Sequence, residues 1–213
     1  QDAGITGCCN IGIGYGAAKC ITTGCDSIFI GLNAGGSHCI TANRVVAIGG
    51  CALRTICSGS HSIAIGWQAG SCQCTGGSNV YIGYKSGCKV TTGSGNVMVG
   101  NQTKYSRNES SGSGNVFVGN GAGSKADGSR NVYVGCVAGC QRTDGDNNVA
   151  IGACALKGIS GSATGGCNVV LGSKAGCCVS TGIFNTLLGA CAGCAMSAQT
   201  MTMGIEKLVK ERF

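Results

Sequence analysis

Proline is absent from the 213 residues, and charge, aromatic rings and long apolar runs are scarce. Without proline or a strict three-residue period, the 41 glycines do not build a collagen helix. Charged residues make up 11% of the chain and hydrophobic ones 43%, a balance that excludes intrinsic disorder. No apolar run reaches the roughly 18 residues of a spanning helix, so no membrane insertion is expected. Histidine is limited to His38 and His61, which read as surface turn residues. The eight acidic residues are scattered. No set of acids, bases and nucleophiles converges, so no enzyme activity and no cofactor are expected. The net charge of +7 is spread from Lys19 to Arg212 without a dense basic block or interleaved aromatics, so no nucleic acid is expected as partner. The chain opens at Gln1 without Met or a signal peptide, which reads as a processed chain or a fragment.

What is present is one short phrase, repeated. A copy such as "SIFIGLNAG" at Ser27, "NVYIGYKSG" at Asn79, "NVFVGNGAG" at Asn115 or "NVAIGACAL" at Asn148 recurs eleven times, with a degenerate twelfth ending at Gly204. Aligned on the glycine after each apolar triplet, from Gly14 to Gly189, successive copies stand 16 to 20 residues apart, most often 17. The "GNVFVGNGAGSK" stretch at Gly114 resembles a phosphate-binding loop in isolation, but ten further copies of its strand and glycine make that reading untenable. One such unit cannot bury its own apolar side, whereas stacked units can. The pattern predicts an all-β fold, a parallel β-solenoid or β-roll of 11–12 coils of about 17 residues. It occupies residues 1–204 as a single array.

Each column of the repeat has a physical reading. Asn begins eight of the eleven clear copies, and stacked Asn side chains form hydrogen-bonded ladders between coils. The repeat glycine suits a corner that needs positive φ or close backbone approach. Three residues later stands Ala, Ser or Thr, where a bulky side chain is not expected to fit. One and three residues before the glycine stand Ile, Val or Leu, the expected lining of a narrow coil. The residue two before then points outward, because strand side chains alternate. That column is also apolar, and it includes Phe29, Tyr81, Met98, Phe117, Tyr133, Val170 and Leu187. These seven are the candidate oligomer interface, covered by identical chains about a symmetry axis. The alternative is a thick solenoid with two apolar layers inside one chain.

The "N-V-x-[IV]-G-x-x-A-G" unit, from Asn10 to Gly193, resembles the β-roll heads of trimeric autotransporter adhesins of the YadA type. It is more similar still to repeats in tail fibres of bacteriophages and some large DNA viruses. The resemblance implies a parallel homotrimeric fibre that serves host attachment or spacing. Eighteen cysteines depart from that family pattern, as does the absence of a following stalk.

The cysteines recur at chosen offsets from the repeat glycine. Cys39, Cys57 and Cys74 each lie eight residues after theirs, and Cys88 and the pair Cys177 and Cys194 lie five after. Equal offsets on adjacent coils lie about 5 Å apart, within disulfide range. Cys177–Cys194 and either Cys39–Cys57 or Cys57–Cys74 are the leading pairs, followed by Cys72–Cys88. A zinc site from Cys177, Cys178, Cys191 and Cys194 is a weaker alternative, since a second Cys-x-x-Cys is missing. Asn101 and Asn108 head N-glycosylation sequons. The closing "GIEKLVKERF" (205–213 after the glycine) reads as a short cap or helical tail.

These features predict a disulfide-stapled structural fibre or adhesin subunit at an extracellular, cell-surface or virion-surface location. Its partner is itself, with a host-surface receptor or glycan as a further one. An extracellular filament that polymerises end to end is the alternative. An ice- or surface-binding solenoid is a minor one, since threonine lacks a regular rank on every coil.

Overall fold

The computed structural model describes residues 6–105, 111–141, 145–158, 164–179 and 181–189. It is a parallel β-solenoid. Eleven strands of three residues stack in chain order into one parallel sheet: β1 (Ile11–Ile13), β2 (Ile28–Ile30), β3 (Val46–Ile48), β4 (Ile63–Ile65), β5 (Val80–Ile82), β6 (Val97–Val99), β7 (Val116–Val118), β8 (Val132–Val134), β9 (Val149–Ile151), β10 (Val169–Leu171) and β11 (Thr186–Leu188). Register never slips, so each column of the repeat is a column in space, as in Tyr81↔Met98↔Phe117↔Tyr133. Ten steps at the usual strand spacing of about 4.8 Å make the sheet about 50 Å long.

The corner glycine meets both demands placed on it. Gly49 has φ +129°, and a Cβ there would lie 2.6 Å from the carbonyl oxygen of Gly66 on the next coil. The Asn column is a continuous ladder. Asn96 donates from its backbone N–H and its Nδ2 to Oδ1 of Asn79, and Asn115 does the same to Asn96. Each Nδ2 also donates to a turn carbonyl, Gly112 or Gly128 for these two. The ladder runs on through Asn131, Asn148, Asn168 and Asn185. Where Ser62 replaces the Asn, the buried amide of Gln73 fills in: Nε2 donates to Ser62 Oγ at 2.9 Å, and Oε1 accepts from Asn79.

The faces of the strands are the reverse of the sequence expectation. In β2 to β10 the middle residue is buried and its two neighbours are half-buried or exposed. Phe29, Tyr81, Met98, Phe117, Tyr133 and Val170 therefore line the inside of the coils, and Leu187 is half-buried against the same core. They are core, not surface. The Ile and Val columns on either side face outward. Phe117 and Tyr133 stack inside the rod with ring centres 5.1 Å apart and planes 4° from parallel.

The reason is a size match within each coil. The central strand residue packs against the residue six positions later, four after the corner glycine. Where the former is Phe or Tyr, the latter is Gly: Phe29 with Gly35, Tyr81 with Gly87, Phe117 with Gly123, Tyr133 with Gly139. A Cβ at Gly123, for instance, would stand 2.6 Å from a ring carbon of Phe117. Where the former is Ala, as in Ala47 and Ala150, the latter is Leu53 or Leu156, both fully buried. The β4 coil is the exception: Ala64 faces Gly70, and the space is taken from the adjacent coils, since a Cβ at Gly70 would stand 2.6 Å from a Tyr81 ring carbon and 2.8 Å from Leu53.

Candidate functional site

Among the described residues, the outward strand face is a continuous surface that packing within the chain leaves open. Its two columns run from Ile11 and Ile13 to Leu188 and contain only Ile, Val and Leu, apart from Thr186. Ile13, Ile63, Ile65, Ile82, Ile151 and Leu171 are all exposed. Alternate strand residues stand about 6.6 Å apart, so with side-chain width the stripe covers on the order of 500 Å², the upper end for a lone monomer. No charged side chain interrupts it.

Along one edge, the residue after each corner glycine adds Tyr15, Leu32, Trp67 and Tyr84, all exposed. Trp67 and Tyr84 lie 6.3 Å apart, and the Lys85 ammonium sits 5.2 Å from the Tyr84 ring and 5.3 Å from that of Tyr105. Near the opposite edge, the residue five before the glycine is in the left-handed region even where it is not Gly, as at Asp26, Arg44, His61 and Arg130. Arg44 Nη1 lies 3.0 Å from His61 Nε2 there, so His61 is a surface residue in a charged rim.

The cysteine columns are brought together unevenly. Cys57 and Cys74 are neighbours on adjacent coils, and burial first, then the Cys57 thiol, raises the Cys74 thiol above its ordinary value. Cys88 is buried beside Cys72, and burial first, then Cys72, pushes its thiol up to about 11. Cys39 fares differently. The Cys57 carbonyl accepts from the N–H groups of Thr41 and Ala42, so the chain two or three residues past Cys39 lies against Cys57. The turn of this 18-residue coil sets Cys39 two positions out of line with Cys57. Cys177 touches its neighbour Cys178 at 3.5 Å, while Cys194 lies outside the described residues. A pair absent from the expected set is also brought together: Cys8 and Cys25 have their Sγ atoms 3.2 Å apart.

Asn101 is exposed, as a glycan acceptor needs, although Thr103 of its sequon is buried and bonded to Ser86 at 2.7 Å. Asn108 and the tail 205–213 lie outside the described residues. Among the described residues no cluster of three or more His, Cys, Asp or Glu is placed to hold a metal ion. No helix among them is long and apolar enough to cross a membrane.

A family model described as a NifU-like domain matches residues 183–213. The match is to a short segment only, and it starts two residues before the eleventh copy, overlapping β11. No curated protein and no solved structure matches the chain.

One buried polar device was not visible in the repeat. Lys104 occupies the position that Leu53 and Leu156 fill elsewhere; it is 1% exposed and ion-pairs with Asp127. Burial lowers its pKa, and Asp127 partly offsets this. The signal was present in the sequence as a lysine in a Gly/Leu column, readable only once that column is known to face inward.

Proposed function

We propose that the chain is a structural fibre or adhesin subunit that packs as a parallel homotrimer, acting in surface attachment or in extracellular or virion fibre assembly. The observation that carries this reading is the uncharged Ile/Val face along the whole sheet. Three copies about an axis parallel to the rod bury that face along its full length, each coil meeting its equivalents at the same height. The contact is then apolar against apolar with no charge to desolvate. Inter-coil thiol pairs such as Cys57–Cys74 and Cys72–Cys88 staple each chain once oxidised. Light scattering on the purified chain should give about three times 21.0 kDa, independent of concentration. Ile82→Lys, placed on the outer face, should yield a monomer with unchanged far-ultraviolet dichroism. A wild-type monomer would sink the reading, and a concentration-dependent series of masses would favour end-to-end filaments instead.

A second reading concerns residues 183–213 alone, and it is favoured by the NifU-like match. Cys191 and Cys194 stand in that segment with two residues between them, a spacing at which two thiolates close on one soft metal ion. On this reading the rod carries a metal-binding appendage. Anaerobic cobalt(II) titration should then give thiolate charge-transfer bands that Cys191→Ser abolishes. Bands that survive the substitution would exclude it.

A further inference from the structure

A second ladder runs beside the Asn ladder, six residues before each corner glycine. In it a backbone N–H donates to the side chain at the same position of the next coil. Cys25 donates to Asn43 Oδ1 at 2.7 Å and Asn43 to Ser60 Oγ at 3.1 Å. Further along, Gly77 donates to Ser94, Ser94 to Ser113, Ser113 to Ser129 and Ser129 to Asp146. In each of these links the acceptor is oxygen. The first link differs: Cys8 N–H donates to Cys25 Sγ at 3.2 Å, and sulfur is a weak acceptor.

The weak link falls on the weakest coil. All three residues of β1 are exposed, Gly12 puts no side chain into the core, and no strand pairs with β1 on its far side among the described residues. In a stack held by nearest-neighbour contacts, such a terminal coil opens first. The same column places the two sulfurs 3.2 Å apart on adjacent coils, with Cys8 exposed to solvent.

We propose that Cys8 and Cys25 are a disulfide site that clips the first coil to the second. With glutathione disulfide as oxidant, one thiolate of the pair attacks a glutathione sulfur and releases one glutathione thiolate. The other thiol, deprotonated, displaces the second glutathione. Two protein thiols lose two electrons and two protons, and one glutathione disulfide becomes two glutathiones. The Cys25 thiol, first as hydrogen-bond partner and then through charge, raises the Cys8 thiol to about 11, so Cys8 is the thiol that keeps its proton until the exchange step removes it. The clip closes a loop of 17 residues, long enough for a sizeable loss of unfolded-state freedom.

The full chain, equilibrated with a glutathione redox couple and alkylated, should yield tryptic peptides 1–19 and 20–44 joined through Cys8 and Cys25, as assigned by fragmentation. Amide hydrogen exchange at Ile11, whose N–H bonds Ser27, should slow about tenfold or more on oxidation. Cys8→Ser should abolish both effects. Should that variant fail to fold, the wild-type comparison with and without reductant carries the same decision. Free thiols at both positions under oxidising conditions would overturn the proposal. So would a link from Cys8 to Cys9 or to another chain.

Discussion

Cys88 illustrates how a single side chain acquires its properties from its place in the coil. Its thiol is buried, and burial disfavours the thiolate, so its pKa rises to about 11 against an unfolded value near 9. Between about pH 9 and pH 11 the native chain keeps a proton that the unfolded chain releases. Stability therefore falls as pH rises through that window. In reductant, the urea midpoint should drop from pH 8 to pH 10.5, and Cys88→Ala should flatten the decline; an unchanged slope would mean other groups dominate. The Tyr81 hydroxyl is a different residue-scale case. It is buried with no hydrogen-bond partner, and burial drives its pKa up. The ring is retained because its apolar body fills the coil opposite Gly87.

At the scale of one coil, the size match between the strand centre and the residue six later is open to a direct test. Ala150→Phe alone overfills a coil already occupied by Leu156 and should destabilise by about 2 kcal/mol. Leu156→Gly alone leaves a cavity. Together they recreate the pairing of Phe117 with Gly123, and the glycine also suits the φ of +46° at that position. A coupling energy of at least about 1 kcal/mol in a double-mutant cycle of urea unfolding is the expected result. Strict additivity would show that the two positions do not share one space. The exchange was legible in the sequence, since "AIGACAL" and "FVGNGAG" differ at both positions together. It becomes meaningful only when both side chains are known to point inward.

At the scale of the whole molecule, the rod is a chain of nearest neighbours whose interior is complete and whose strand face is not. The middle coils are held by two ladders and a size-matched core, and the first coil by little besides β2. The trimer expected from light scattering is a property of this scale, because no one coil presents enough apolar surface to hold a partner. Ten coil steps in unbroken register present it as one stripe. The charge substitution at Ile82 separates the two scales, since it alters the outer face and leaves the core as it was.

The sequence by itself determined the period, the strands, the corner glycines and the Asn ladder. Each follows from a residue type that recurs at a fixed offset and has one backbone demand to meet. It did not determine which side of each strand faced the core. Alternation marks two faces without saying which is inside, and here both faces are apolar. Only the tertiary structure decided that, through volume. The inner column swings from Ala to Tyr because each interior is filled jointly by the residue six later and by the side chains of adjacent coils, whereas the outer columns keep to Ile, Val and Leu and stay half-buried or exposed. Folding likewise decided which cysteines meet. Counting from the glycine carries the register only until a turn changes its path, as between Cys39 and Cys57, while Cys8 and Cys25 stay aligned because they lie just ahead of the strands that fix the stack.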